Sequence, residues 1–345
     1  MGQQTDVTSL VLERINAVAR DWCDGSAFRD LQVLPGGTSS LTYSATLVRP
    51  SSPDAAVVVK VAPQGLAPQR NRDVLRQAQI LRRMWSTSIP VPRVFVEDDG
   101  NPPFFVMDRL PGDAYEPRTD VIARPPTAQL VRARAERAAR LLADLHHIEL
   151  ASLSISEPAV PVADELGRWS ALLSTVDESI CPGHRKLHDR LVAAMPAAVP
   201  ARIVHGDFRL GNILFEDDEV RALIDWEIWS VGDPRIDLAW LLMYSDPPLD
   251  FQERDAPNIA AGRGMPPYTE LLDIYTRASG QPVTSIEWFL ACCLYKCAAI
   301  LSSFVKRNRR RERPDERWVT GAQRLPAILD RAHSFLDALA AGENA

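Results

Sequence analysis

The run His205-Gly206-Asp207-Phe208-Arg209-Leu210-Gly211-Asn212 sets a carboxylate and, five residues on, a carboxamide in one segment, and Asp225 follows thirteen residues after the Asn. In such a loop the first carboxylate can meet a substrate hydroxyl and the amide carbonyl can ligate a cation, while a carboxylate at the end of the next hairpin can face the same point. Hard oxygen ligands suit Mg²⁺, whose shell is usually completed by water and nucleotide phosphates. The same Asp and Asn would serve equally as ordinary loop and turn formers. Far upstream, Lys60 ends a Val57-Val58-Val59 run. An ammonium on so apolar a strand is costly to bury unpaired. A phosphate partner would remove that cost, and an edge-strand lysine snorkelling to water is the plainer alternative. Gly36, Gly37 and Thr38 lie between the first two strand-like runs, where a Gly-Gly turn can cover a phosphate or simply reverse the chain.

The elements that must position these groups change texture along the chain. From Phe28 to Arg109 short β-rich runs dominate: FRDLQVLP, then LTYSATLV after the Gly-Gly turn, then AAVVVKVA, which together predict an antiparallel meander. Val74, Leu75, Ala78, Leu81 and Trp85 repeat at three and four, so 71–85 reads as an amphipathic helix that the Pro90 to Pro92 pair follows. Two more strand-like runs, RVFVE and PFFVM, lead to a Pro111-Gly112 turn or hinge. Beyond it the periodicity is helical, over 128–147, 163–177, 234–244, 267–279, 285–306 and 315–340, with one β-rich island from Ile203 to Trp226. The expected architecture is α+β and bilobal, with a small antiparallel β lobe over 1–107 and a larger, mainly helical lobe over 108–345, and ligands are expected in the cleft between them.

Composition narrows the function. With 345 residues and 46% apolar content, the chain can bury a proper core. Its 39 basic against 45 acidic residues give a net charge of −6, which argues against a nucleic-acid coat. Of those 39, only Lys60, Lys186, Lys296 and Lys306 are lysines. The five cysteines are odd in number and lack zinc spacing, so they read as reduced thiols of a cytoplasmic protein, with Cys292, Cys293 and Cys297 packed in a core. The N-terminal run does not read as a secretory or myristoylation signal. The long apolar stretch from Trp288 to Val305 carries Lys296 in its middle, so a buried helix is expected rather than a membrane span.

Taken together, VVVK around Lys60, PFFVMDRLPG, LLADLH around His146, HGDFRLGN, LIDWE and GDPRIDLAW resemble the aminoglycoside phosphotransferase and choline kinase family, relatives of the protein kinases. The resemblance covers nearly the whole chain. It implies ATP and Mg²⁺ as cofactors, Asp207 as the catalytic Asp that orients the acceptor hydroxyl, and Asn212 and Asp225 as the metal ligands. It also implies that Lys60 grips the nucleotide phosphates beneath Gly36, Gly37 and Thr38, and that the backbone of Met107, Asp108, Arg109 and Leu110 bonds the adenine. His205 and Asp237 would support the catalytic loop. One departure stands out: Gln77 occupies the place of the Glu that usually pairs with the strand lysine, and a neutral amide loses the charge-assisted part of that bond. Asp73, a helical turn earlier, is an alternative partner for Lys60.

Within the family the chain is most similar to the kinase-like domain associated with acyl-CoA dehydrogenases, on HGDFRLGN with LIDWE, ELLDIYTRASG and IEWFLACCLYKCAAI. That branch implies a hydroxyacyl-CoA-type acceptor. An aminoglycoside, being a polycation, would call for an acidic acceptor site. From Asp246 onward, however, 13 acidic and 13 basic residues balance, with Lys306, Arg307, Arg309, Arg310, Arg311, Arg313 and Arg317 crowded together. Such a cluster can hold phosphates, or it can be a solvated helix end. The expected partner is therefore a small-molecule hydroxyl substrate, not nucleic acid or membrane. An aminoglycoside kinase and a nucleotide-binding regulatory module that has lost catalysis are the competing readings.

Overall fold

The computed structural model describes residues 2–22, 26–34, 40–65, 67, 70–120, 122–245 and 264–343. The chain divides into two compact units. One comprises 1–113 with 214–216 and 220–228, and the other 114–213, 217–219 and 229–345.

The first unit is built on a five-stranded antiparallel sheet of β1 (Ala27–Val33), β2 (Leu41–Val48), β3 (Ala55–Val61), β4 (Val94–Asp98) and β5 (Phe104–Asp108), in the order β1-β2-β3-β5-β4. The period of two splits β3 cleanly. Val57, Val59 and Val61 join Tyr43, Leu47, Phe104 and Val106 in one core face. Val58 and Lys60 turn to the other face, paired across the ladder with Met107 and Phe105. The core face is covered by a helix that the sequence reading missed, α1 (Gly2–Trp22), through Val11, Ile15 and Ala19, all fully buried. Their spacing of four is the mark of an apolar helical stripe, and the segment had been weighed only as a targeting signal. Asn16 fastens α1 to the sheet by accepting the Phe28 N–H at 2.6 Å. On this unit α2 (Val74–Met84) is capped by Asp73, which accepts the Arg76 N–H at 3.0 Å.

The helical unit contains α3 (Ala128–His147), α4 (Val162–Ser174), α5 (His184–Ala193), α6 (Arg235–Met243), α7 (Tyr268–Ser279), α8 (Ile286–Asn308), α9 (Glu316–Ala322) and α10 (Leu325–Glu343). The stretch expected as one helix over 315–340 is two. Pro326 sits at the second position of α10, where its missing N–H costs nothing, whereas a continuous helix would set its ring against the Ala322 carbonyl. The apolar α8 is a core helix, with Trp288, Leu290, Leu294 and Ala298 fully buried and α4, α5, α6, α9 and α10 packed around it. Short strands frame the sequence motif. β6 (Arg202–Val204) pairs with β9 (Ser230–Gly232), a strand the sequence reading did not resolve, and β7 (Ile213–Glu216) with β8 (Glu219–Leu223).

Burying α1 against the sheet carries much of the first unit's core. Replacing fully buried Ile15 with Ala is expected to cost about 2–5 kcal/mol of stability, read as a lowered midpoint in urea denaturation.

Candidate active site

In the helical unit β6 delivers the chain into a loop whose backbone is tied from below. Asp237, near the start of α6 and fully buried, accepts the His205 N–H at 2.5 Å and the Gly206 N–H at 2.8 Å. Two charge-assisted bonds from one carboxylate fix the loop, and Gly206 takes a φ of 86° that a side chain would resist. The buried His205 ring accepts the Asp207 N–H through Nδ1 at 3.3 Å.

Asp207 emerges from this support with its carboxylate held on both oxygens. Oδ1 accepts the Trp240 indole N–H at 2.7 Å. Oδ2 accepts from Asn212 Nδ2 at 2.7 Å and from Arg209 Nε at 3.4 Å. Asn212 gives a second bond from the same Nδ2 to the Asp207 carbonyl at 2.8 Å, so its own Oδ1 remains turned to an external partner. An amide oxygen released in this way is a fitting ligand for a hard cation.

Sequence reasoning did not single out Arg209 or Glu116. The Arg209 guanidinium lies between Asp207 and Glu116, at 3.4 Å and 3.8 Å respectively. Glu116 is fully buried, its Oε2 accepts the Gly211 N–H at 3.2 Å, and its Oε1 has no hydrogen-bond partner. Burial pushes its carboxyl up to about 7, with Arg209 and the Gly211 N–H pulling the other way. Only the tertiary fold brings Glu116 here; its local sequence carries no signal of it.

In the sheet unit, Lys60 lies on the central strand β3 and is buried, so the snorkelling alternative fails. Its Nζ donates to Asp225 Oδ1 at 2.6 Å and to Gln77 Oε1 at 3.4 Å. Asp73 is not its partner, because that carboxylate is spent on the α2 cap. With a neutral Gln on the helix, the counter-charge comes from Asp225, which follows β8 at a φ of 65°, a conformation Asp tolerates better than most residues. The segment bearing Asp225 is anchored in the same unit by Leu223 N–H to the Pro90 carbonyl at 2.8 Å and by the buried Trp226.

Along 107–110, Asp108 gives its N–H to Arg93 at 3.0 Å and Arg109 gives its own to Ala56 at 3.1 Å, which leaves Leu110 as the amide able to donate to a base. At the expected hinge, Gly112 takes a φ of 113°, and a Cβ there would meet the Phe215 carbonyl oxygen at 2.6 Å. Gly36, Gly37 and Thr38 lie outside the described residues. Cys181, Cys292, Cys293 and Cys297 are free thiols, and burial pushes Cys293 up to about 12, as suits packing rather than chemistry.

Residues 30–271 match the phosphotransferase enzyme family. Acyl-CoA dehydrogenase family member 10 of Mus musculus is 26% identical over 288 residues, covering 79% of this chain and 26% of that protein. Acyl-CoA dehydrogenase family member 11 of Homo sapiens is 27% identical over 274 residues, covering 73% of this chain and 33% of that protein. The chain thus spans about a quarter to a third of these relatives. Viomycin phosphotransferase of Streptomyces vinaceus is 28% identical over 178 residues, covering 48% of this chain and 59% of that protein. Among solved structures, one from Ralstonia eutropha assigned as an aminoglycoside phosphotransferase superposes with a TM-score of 0.74 at 20% identity, covering 94% of this chain and 98% of that one. An aminoglycoside phosphotransferase, APH(4)-Ia, in complex with ADP and hygromycin B gives 0.60 at 12% identity, over 94% and 98%. These likenesses establish the kinase-like α+β fold.

The buried Glu116 has a thermodynamic signature. A carboxyl at about 7 in the folded chain, against 4.5 ordinarily, binds more proton folded than unfolded between those values. Stability is therefore full below about pH 4.5 and falls as pH rises toward 7, by roughly 3 kcal/mol in all. Urea titrations from pH 5 to 8 are expected to show that decline in the native protein and a flatter profile in Glu116→Gln.

Proposed function

We propose that this chain, which belongs to the phosphotransferase enzyme family, moves the γ-phosphoryl group of ATP to the hydroxyl of a small anionic acceptor of the hydroxyacyl-CoA type. The observation that carries the phosphotransferase reading is Asp207, locked by donors on both oxygens within a loop that Asp237 holds rigid. A carboxylate so placed orients an acceptor hydroxyl and takes its hydrogen bond as the oxygen attacks the γ-phosphorus and the bond to the β-phosphate oxygen breaks. Lys60 serves as the phosphate-binding cation and Leu110 as an amide donor to adenine. The freed Asn212 oxygen and the Asp225 carboxylate form a donor set that fits Mg²⁺, which when bound would neutralise phosphate charge.

Two features support an anionic acceptor. The charged side chains nearest Asp207 in its own unit are cationic, Arg209 beside its carboxylate and Lys296 at the Gly206 carbonyl, while the buried carboxylate of Asp237 is committed to the loop amides. A polycationic aminoglycoside would meet these charges unfavourably. Lys296 and Lys306 lie ten residues apart on α8, about 15 Å along its axis, and the exposed Arg309, Arg310, Arg311 and Arg313 continue from there. An extended acceptor with a reacting hydroxyl at one end and phosphates at the other matches that charge distribution, as does the kinship with proteins named for acyl-CoA chemistry. Free, buried thiols suit the reducing cytoplasm as the place of action.

Asp207→Asn is expected to reduce turnover at least a thousandfold (about 4 kcal/mol of barrier) while leaving Mg-ATP affinity nearly unchanged by calorimetry. The decisive measurement is a mass-spectrometric transfer screen setting hydroxyacyl-CoAs against aminoglycosides and choline-like alcohols. Phosphorylated hydroxyacyl-CoA supports the reading. Transfer to an aminoglycoside overturns the acceptor class, and Mg-ATP binding with no product across the panel would identify a regulatory module, for which Gln77 in place of an acid is the motive.

A further inference from the structure

Lys296 is an unusual residue to find in the core helix α8. It is 6% exposed, and no carboxylate pairs with it among the described residues. A buried ammonium without a counter-ion is expensive, so its other contacts must compensate. Its Nζ donates to the Gly206 carbonyl at 3.0 Å and stands 3.7 Å from the centroid of the Trp240 ring, with the Trp169 ring centroid at 5.5 Å. The indole beneath this cation is the one whose N–H reaches Asp207 Oδ1 at 2.7 Å.

A carboxylate offers about four lone-pair sites, two on each oxygen. On Asp207 both of those on Oδ2 are taken, by Asn212 and Arg209, and one of those on Oδ1 is taken by Trp240. One position remains for an acceptor hydroxyl, on Oδ1, beside the indole N–H. The bond from Trp240 therefore decides which way that last lone pair points. A cation against the face of an indole draws electron density out of the ring, so the N–H becomes a stronger donor.

We propose that Lys296 and Trp240 form a positioning pair for the reaction: Trp240 fixes the Asp207 carboxylate so that its one open lone pair receives the acceptor hydroxyl, and Lys296 acts through the indole by polarising that N–H while anchoring the loop at Gly206. The inference rests on Asp207 being the catalytic carboxylate. It explains why α6 carries a Trp at position 240 and why α8 tolerates a charge in its apolar interior. Arginine would not serve in place of Lys296, since a planar guanidinium cannot set one compact charge at once against a ring face and a carbonyl.

The test reads the Trp240 indole resonance directly, assigned by its loss in Trp240→Phe, in ¹H–¹⁵N spectra of the full chain. Lys296→Gln keeps a donor for the Gly206 carbonyl and removes the charge; Lys296→Met removes both and serves as the second variant. In each folded variant the indole proton signal is expected to move upfield. With the acceptor found by the transfer screen, Lys296→Gln and Trp240→Phe are expected to lower kcat about tenfold or more while KM for ATP stays within about twofold. An indole signal that Lys296→Gln and Lys296→Met leave in place, or an undiminished kcat in Trp240→Phe, overturns the positioning pair even where Asp207→Asn has abolished turnover. Survival of turnover in Asp207→Asn would instead strike at the underlying assignment.

Discussion

The catalytic loop exists in its observed form because one buried carboxylate accepts two consecutive backbone amides. Asp237 is fully buried, and the N–H groups of His205 and Gly206 converge on its two oxygens. An ionised carboxylate this deep survives only with such partners, and amides this deep survive only with such an acceptor, so each side of the contact obliges the other. Everything in the helical unit that bears on chemistry is referenced to this contact. Asp207 follows the fixed peptides directly, Asn212 folds back through the turn at 210–212 to bond it twice, and Trp240, one turn beyond Asp237 on α6, inherits its position from the same helix.

The sheet unit answers a different constraint. Lys60 has both neighbouring strands bonded to β3 and a core helix behind the sheet, so the geometry offers it no path to water and a charge must come to it. In a chain with Glu at position 77 the helix would supply that charge. Here Gln77 accepts at a long 3.4 Å and the anion is Asp225 at 2.6 Å, from a segment 165 residues away in sequence. The exchange has a functional consequence. The resting partner of the phosphate-binding cation is itself the carboxylate that suits a metal, so entry of the nucleotide and its cation must redistribute this pair rather than fill a vacant site. Binding of the two is thereby coupled in the sense that each relieves the residue the other releases.

How much of this could be read beforehand follows from the range of each interaction. The strands around Lys60 were legible because period-two alternation is local, and LTYSATLV became β2 without adjustment. The division of 315–340 into two helices was legible in principle from Pro326 but was outweighed by the surrounding periodicity. Asp73 could be placed near Lys60 by counting turns, yet the same residue is a strong N-cap, and the local bond won. Glu116 and the pairing of Lys60 with Asp225 depend on segments far apart in sequence, and no residue pattern near any of them announces the contact.

The scarcity of lysine joins the two units' chemistry into one argument. With arginine used for most of the 39 basic residues, a lysine marks places where a guanidinium would not fit. Two of the four lysines, Lys60 and Lys296, are buried, one on the sheet face that meets α2 and the other against the catalytic loop. In each case the partner set asks for a compact charge with bonds directed to separate acceptors: Asp225 and Gln77 for the first, the Gly206 carbonyl and an indole face for the second. A fork of five fixed donors is suited to bidentate anions and to surfaces, which is where Arg132, Arg137 and the run from Arg307 to Arg313 are found. The composition is thus sorted by task, arginine for solvent-facing pairing and the few interior lysines for the points where a single buried charge must be aimed.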